Sequence, residues 1–151
     1  MTHIIGQHDC KADAKGRVIL PISLKGKLLP VMNEGFVIKR SVFQQCLELY
    51  PKHEFDELMK KVMQKSKINR KYDAFVRNFV AGMKEVSIDG DTGRLQIPKN
   101  LVEFAGIGKE VVLNAVFDKI EIWDKAKYEK VLAEGEKDYA DLAEEIFEDD
   151  D

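Results

Sequence analysis

Asp13-Ala14-Lys15-Gly16-Arg17-Val18-Ile19-Leu20-Pro21 decides how this chain folds, because it occurs a second time, altered, as Asp91-Thr92-Gly93-Arg94-Leu95-Gln96-Ile97-Pro98. Both copies run Gly-Arg, two residues, a branched apolar residue and Pro. A further match follows each copy: Leu47-Glu48-Leu49-Tyr50 corresponds to Ile120-Glu121-Ile122-Trp123. The first match is offset by 77 residues (17 to 94) and the second by 73 (49 to 122). Two ordered matches at nearly one offset identify a tandem duplication, with the first copy about four residues longer between its anchors.

Each copy has the same local physics. Gly16 and Gly93 stand where a chain reverses or takes positive φ, which glycine does without steric cost. The aliphatic runs after each Arg predict short strands. Pro then ends the ladder, since it has no N–H to donate. Two readings of Arg17 and Arg94 stay open. A loop-borne cation on a β scaffold is well placed as a contact residue. Alternatively, each Arg is a local ion-pair partner of Asp13 or Asp91. An Arg held by an Asp and still reaching a phosphate satisfies both.

The chain has 151 residues, 44% apolar and 34% charged, which predicts a soluble globular protein of one domain or two small half-domains. No apolar run approaches the roughly 20 residues of a membrane span. The start, Met1-Thr2-His3-Ile4-Ile5-Gly6, lacks the basic and long apolar regions of a signal peptide. Cys10 and Cys46 predict reduced thiols rather than a disulfide framework. With His3, His8 and His53 they show no metal-ligand spacing. Neither a phosphate-binding glycine motif nor a nucleophile elbow occurs. Asp89 and Asp91 fall on a turn, where Asp is a usual turn former.

Charge is unevenly spread. Residues 1–85 carry 16 Lys/Arg against 9 Asp/Glu, and residues 86–151 carry 8 against 18. A basic half suits a polyanion partner, or the two halves attract each other within or between subunits. Lys11, Lys15 and Arg17 put three cations within seven residues of one turn, a candidate phosphate patch.

Strands are expected at 36–40, 46–50, 111–115 and 120–123, with turns at 41–45 and 118–119. Residues 22–33 are expected to be short and partly helical. After Pro51, Phe55, Leu58, Met59, Val62 and Met63 mark one face of an amphipathic helix. Tyr72, Phe75, Val76, Phe79, Val80 and Met83 mark a second, from about 71 to 83. Their polar sides carry Lys60, Lys61, Lys65, Lys67, Arg70, Lys71 and Arg77 against Asp73. This is the surface of a DNA binder or, in the preferred reading, an ordinary solvated face. A third helix follows Trp123-Asp124. Residues 144–151 hold six acids in eight positions and are expected to form a frayed tail.

These residues resemble a family. Asp13-x-Lys15-Gly16-Arg17-x-x-x-Pro21, Leu49-Tyr50-Pro51-x-x-Glu54-Phe55, Phe75-x-Arg77-x-Phe79-x-Ala81-Gly82 and Ile120-Glu121-Ile122-Trp123-Asp124 are similar, in order, to motifs of the MraZ proteins. The resemblance implies an α+β, β-rich fold: two tandem SpoVT-AbrB-type (AbrB-like) half-domains forming one swapped-hairpin β-barrel with flanking amphipathic helices. Repeat 1 is then 6–53, a helical connector 54–82, repeat 2 83–126, and a C-terminal helix and acidic tail 127–151. It further implies a transcriptional regulator, usually a repressor, that assembles into a homo-oligomeric ring. Such a protein binds repeated double-stranded promoter elements upstream of the division and cell-wall gene cluster, its own gene included. It works in the cytoplasm on the nucleoid.

The expected DNA contacts are Arg17, Lys15 and Arg94 from the resemblance and Lys11 from the cation cluster, with Asp13, Gly16, Asp91 and Gly93 shaping the turns and orienting the arginines. The second copy departs from the pattern. The family motif has Asp four residues before Arg, but position 90 is Gly90, with Asp89 five before and Asp91 three before Arg94. A one-residue insertion would re-aim Arg94 or remove its Asp partner. No enzyme activity, cofactor, metal, small-molecule substrate or membrane contact is expected. Two rival readings are a protein-binding barrel, antitoxin-like or scaffolding, and a small enzyme using Asp89, Asp91 and His8.

Overall fold

The computed structural model describes residues 3–65 and 68–148. Among them are eight strands: β1 (Ile4–Lys11), β2 (Arg17–Ile19), β3 (Phe36–Arg40), β4 (Leu47–Pro51), β5 (Lys84–Val86), β6 (Arg94–Gln96), β7 (Glu110–Phe117) and β8 (Ile120–Asp124). The helices are α1 (Ile22–Leu28), α2 (Lys52–Gln64), α3 (Arg70–Val80), α4 (Lys99–Ala105), α5 (Lys125–Gly135) and α6 (Tyr139–Glu148), and a 3-10 segment follows α1 at Leu29–Glu34. The class is α+β with antiparallel pairing, as expected.

The strands of the two repeats are interleaved. Six form one sheet in the order β1-β7-β8-β4-β3-β5, and β2 pairs with β6 in a two-stranded ribbon. β1 lies along β7 from Ile4↔Phe117 to Lys11↔Glu110. In the equivalent place, β5 lies along β3. Each repeat's first strand therefore pairs with the other repeat's hairpin. The two hairpins meet at β4–β8, in the register Leu47↔Ile122, Glu48↔Glu121 and Leu49↔Ile120. The repeated Leu-Glu-Leu and Ile-Glu-Ile triplets thus face each other across a pseudo-two-fold axis. Single bridges, Ala12↔Val18 and Ile88↔Leu95, tie the two sheet edges to the ribbon. The two repeats alternate at β1–β7, β8–β4, β3–β5 and β2–β6, whereas the two hairpins and the two single bridges each stay within one repeat.

Alternation along the strands explains the core. Val18, Leu95, Phe36, Ile38, Leu47, Leu49, Leu113, Ile120 and Ile122 point inward and are buried. α1 and α4, which follow the two repeated Pro residues, each add two buried residues: Leu24 and Leu28, Leu101 and Ala105. β3 and β4 are covered on their outer face too. There Lys39 is only 1% exposed. Its ammonium lies 3.6 Å from Glu48 and 4.3 Å from the centre of the Phe79 ring on α3. A smaller outer cluster of Cys46, Val112, Trp123 and Tyr128 seats α5.

The strand ends shift by up to two residues from expectation, and the larger differences are in α3 and at the C-terminal end. α3 starts one residue earlier than expected because Asn69 caps it, its side chain accepting from the Tyr72 N–H at 2.8 Å. It ends at Val80, before Gly82 turns the chain at φ +77°. The acidic end does not fray at 144. α6 continues to Glu148, with Tyr139, Leu142, Ile146 and Phe147 at helical spacing. Ser66, Lys67 and residues 149–151 of the expected tail lie outside the described residues.

Candidate nucleic-acid interface

The ribbon is the centre of the candidate site. Its register is Arg17↔Gln96, Val18↔Leu95 and Ile19↔Arg94. A two-residue period sends Val18 and Leu95 into the core and leaves Arg17, Ile19, Arg94 and Gln96 on the outer face. The flanking turns lock into each other. The Ile97 N–H donates to the Gly16 carbonyl and the Leu20 N–H to the Gly93 carbonyl, both at 2.9 Å. Gln96 Nε2 donates to the Lys15 carbonyl at 2.6 Å.

The first turn is built around one carboxylate. Asp13 Oδ1 accepts from the N–H groups of Lys15 and Arg17, each at 2.9 Å. Asp13 Oδ2 accepts from Arg17 Nε at 2.6 Å. The Arg17 N–H holds the Asp13 carboxyl below its ordinary range, and the Arg17 guanidinium and Lys15 N–H add to this. Gly16 closes the turn at φ +77°, its N–H donating to the Asp13 carbonyl at 3.0 Å. The brace uses only Nε of Arg17. The Nη edge has no partner among the described residues, and the side chain stays 38% exposed. Arg17 is therefore an ion-pair partner of Asp13 whose Nη edge remains exposed.

The second turn is organised differently. Asp89, not Asp91, occupies the place of Asp13. Its Oδ1 accepts from the N–H groups of Asp91 (2.9 Å) and Thr92 (3.0 Å). These bonds, Thr92 first, hold its carboxyl low. The expectation that Asp91 orients Arg94 is corrected here. The extra residue at Gly90 lengthens the turn, so Asp89 is spent on backbone groups. Asp91 contributes its carbonyl, which accepts from Lys25 Nζ. The Arg94 N–H donates to Thr92 Oγ1 at 3.2 Å. No ion pair holds the Arg94 guanidinium among the described residues, and it is exposed.

Beside the ribbon lies an open cleft of about 500 Å³ lined by Lys11, Ala12, Asp13, Arg17, Ile19, Arg94 and Lys109. It gathers three of the four expected contact residues, Lys11, Arg17 and Arg94. Lys15 stands exposed on the turn and does not line it. Lys109 was not expected. It arrives because β7 runs along β1, and its carbonyl accepts from the Ala12 N–H at 2.9 Å. Four cations against Asp13 give a positive concave surface with a braced guanidinium, suited to phosphate and base-edge contacts.

The residues of the enzyme reading are not assembled this way. Asp89 and Asp91 serve the second turn, and His8 sits in β1 opposite Leu113. Burial pushes the thiols of Cys10 and Cys46 up to about 12, which makes both poor nucleophiles. No helix among the described residues is long and apolar enough to cross a membrane.

Comparison with known proteins gives one answer. A family model described as "MraZ protein, putative antitoxin-like" matches residues 4–78 and again 79–150. The proteins most similar in sequence include a transcriptional regulator MraZ of Christiangramia forsetii, 52% identical over 151 residues, covering 100% of this chain and 97% of that one. One of Flavobacterium psychrophilum is 49% identical, covering 97% and 93%. One of Cytophaga hutchinsonii is 36% identical, covering 94% and 93%.

Proposed function

The chain belongs to the MraZ family, and from that premise we propose that it is a sequence-specific DNA-binding repressor of the division and cell-wall gene cluster that includes its own gene. The convergence of Lys11, Arg17, Arg94 and Lys109 in one cleft, with Arg17 braced by Asp13, carries this reading. The brace fixes the guanidinium plane and leaves the Nη edge to meet the O6 and N7 of a guanine, a contact worth about 1–3 kcal/mol of discrimination. Lys11, Lys15 and Lys109 neutralise phosphates, and unbraced Arg94 serves as a further phosphate contact. They set position rather than sequence.

One cleft is a small footprint for a specific site. A homo-oligomeric ring supplies the rest: identical clefts repeated by rotation engage repeated promoter elements by avidity. Direct repeats rather than a palindrome fit such symmetry. The protein then works on the nucleoid.

The test is fluorescence anisotropy with the DNA upstream of the protein's own gene and with scrambled DNA, over a salt series. The reading predicts tighter binding to the promoter and a steep loss of affinity with salt. Equal, weak binding to both would instead favour the protein-binding barrel, and a partner pull-down would follow.

A further inference from the structure

Two amphipathic surfaces lie uncovered in the single chain, and they carry opposite charge. α6 buries none of its ten residues. Tyr139, Leu142, Ile146 and Phe147 form its apolar stripe, exposed by 73%, 51%, 70% and 65%. Its charged residues are Asp141, Glu144, Glu145 and Glu148, all acidic. Leu142 and Glu145 are surface neighbours at i,i+3, as are Glu144 and Phe147, so the acids flank the stripe.

The α2–α3 hairpin buries no residue either. Met63, Ile68, Phe75 and Val80 are exposed along it. Lys71 neighbours Phe75 at i,i+4 and Arg77 neighbours Val80 at i,i+3. Lys61, Lys65 and Arg70 add to this rim, and none of these five cations forms an ion pair among the described residues. The 11 residues of α3 match the ten of α6 in length.

We propose that α6 of one copy docks on the α2–α3 hairpin of the next, its apolar stripe against the exposed apolar residues of the hairpin and its acids on the cationic rim. The inference rests on the homo-oligomer reading above and names the surfaces that build it. α6 and the hairpin are different parts of the chain, so the contact is head-to-tail, which closes into a ring when the rotation between copies allows. It also gives the basic hairpin a role apart from DNA.

The test uses two charge-reversed full-length variants. One carries Lys61→Glu, Arg70→Glu and Arg77→Glu. The other carries Asp141→Lys, Glu144→Lys and Glu145→Lys. All six positions are exposed, and circular dichroism checks that each variant folds. Light scattering and native mass spectrometry report assembly of each alone and of an equal mixture. Each variant alone is expected to assemble at least tenfold more weakly than wild type. The mixture is expected to regain assembly with both variants incorporated, because alternating copies pair opposite charges at every contact of an even-numbered ring and at all but one of an odd-numbered ring. A third variant, Ile146→Ala with Phe147→Ala, is expected to weaken assembly without altering charge. Wild-type assembly by either charge-reversed variant alone, or a mixture that stays dissociated, overturns the docking while leaving oligomerisation intact. A wild-type protein that is monomeric at micromolar concentration overturns the homo-oligomer reading and this contact with it.

Discussion

At the residue scale, Asp13 sets the direction in which Arg17 points. Asp13→Asn keeps an oxygen for the Lys15 and Arg17 N–H groups but loses the ionic bond to Arg17 Nε. The variant is expected to fold and to bind promoter DNA with an affinity between wild type and Arg17→Ala, measured by anisotropy. The brace also has a defined pH range. A carboxyl held below its ordinary value contributes stability above the unfolded value of 3.8 and loses it only as pH falls through the lowered folded value. Arg17 therefore stays braced throughout the neutral and mildly acidic range. A carboxyl-detected NMR titration is expected to place the Asp13 midpoint below 3.8, and a midpoint above it would contradict the bonding described. This much was legible in the sequence, because the Asp-x-x-x-Arg spacing is local. The shift of the second turn's carboxylate from Asp91 to Asp89 was legible only as an insertion. Its outcome depends on which backbone N–H groups reach the carboxylate first.

At the scale of elements, the ribbon places the arginines, and its two glycines are not equivalent. Both have positive φ, +77° at Gly16 and +75° at Gly93, so alanine at either costs about 1–2 kcal/mol of backbone strain. A Cβ at Gly16 would also lie 3.0 Å from Val102 Cγ2 and 3.1 Å from the Ile97 carbonyl oxygen. At Gly93 the nearest contacts, the Leu20 carbonyl and Lys25 Cδ, are at an ordinary 3.4 Å. Gly16→Ala is expected to be the more destabilising by at least about 1 kcal/mol, or roughly 2–4 °C in Tm for a chain of this size. Calorimetry of the two variants checks the order, and equal losses would contradict the interlocking of the turns. Lys109 shows where local reading stops. Nothing around Gly108-Lys109-Glu110 marks it as a partner of Lys11, and only the pairing of β1 with β7 brings it to the cleft.

For the whole molecule, duplication was readable from the repeated motifs, but the exchange of strands between repeats entered only through the family resemblance. Periodicity reports which face of a strand is buried and says nothing about which distant strand lies beside it. The exchange has a testable cost. In residues 1–82, β1 lacks β7, β4 lacks β8, and β2 lacks β6. That fragment is expected to give the poorly dispersed amide spectrum of an unfolded chain, and to gain dispersion on adding residues 83–151. A folded 1–82 fragment would contradict the interleaved topology. The charge imbalance between the halves was also plain in the sequence. The structure divides it among surfaces: the cleft carries its own cations, and the helical hairpin carries a separate set, of which Lys61, Lys65, Arg70, Lys71 and Arg77 form no ion pair among the described residues.

In the proposed function the braced Arg17 reads the DNA sequence while the unbraced Arg94 only holds the backbone. The most direct measurement is the ratio of promoter to scrambled-DNA affinity for Arg17→Ala and Arg94→Ala, with assembly shown unchanged by light scattering. Arg17→Ala is expected to bring the ratio close to one, while Arg94→Ala is expected to weaken both DNAs alike and keep the ratio. A promoter preference that survives Arg17→Ala would contradict the sequence-reading role of Arg17.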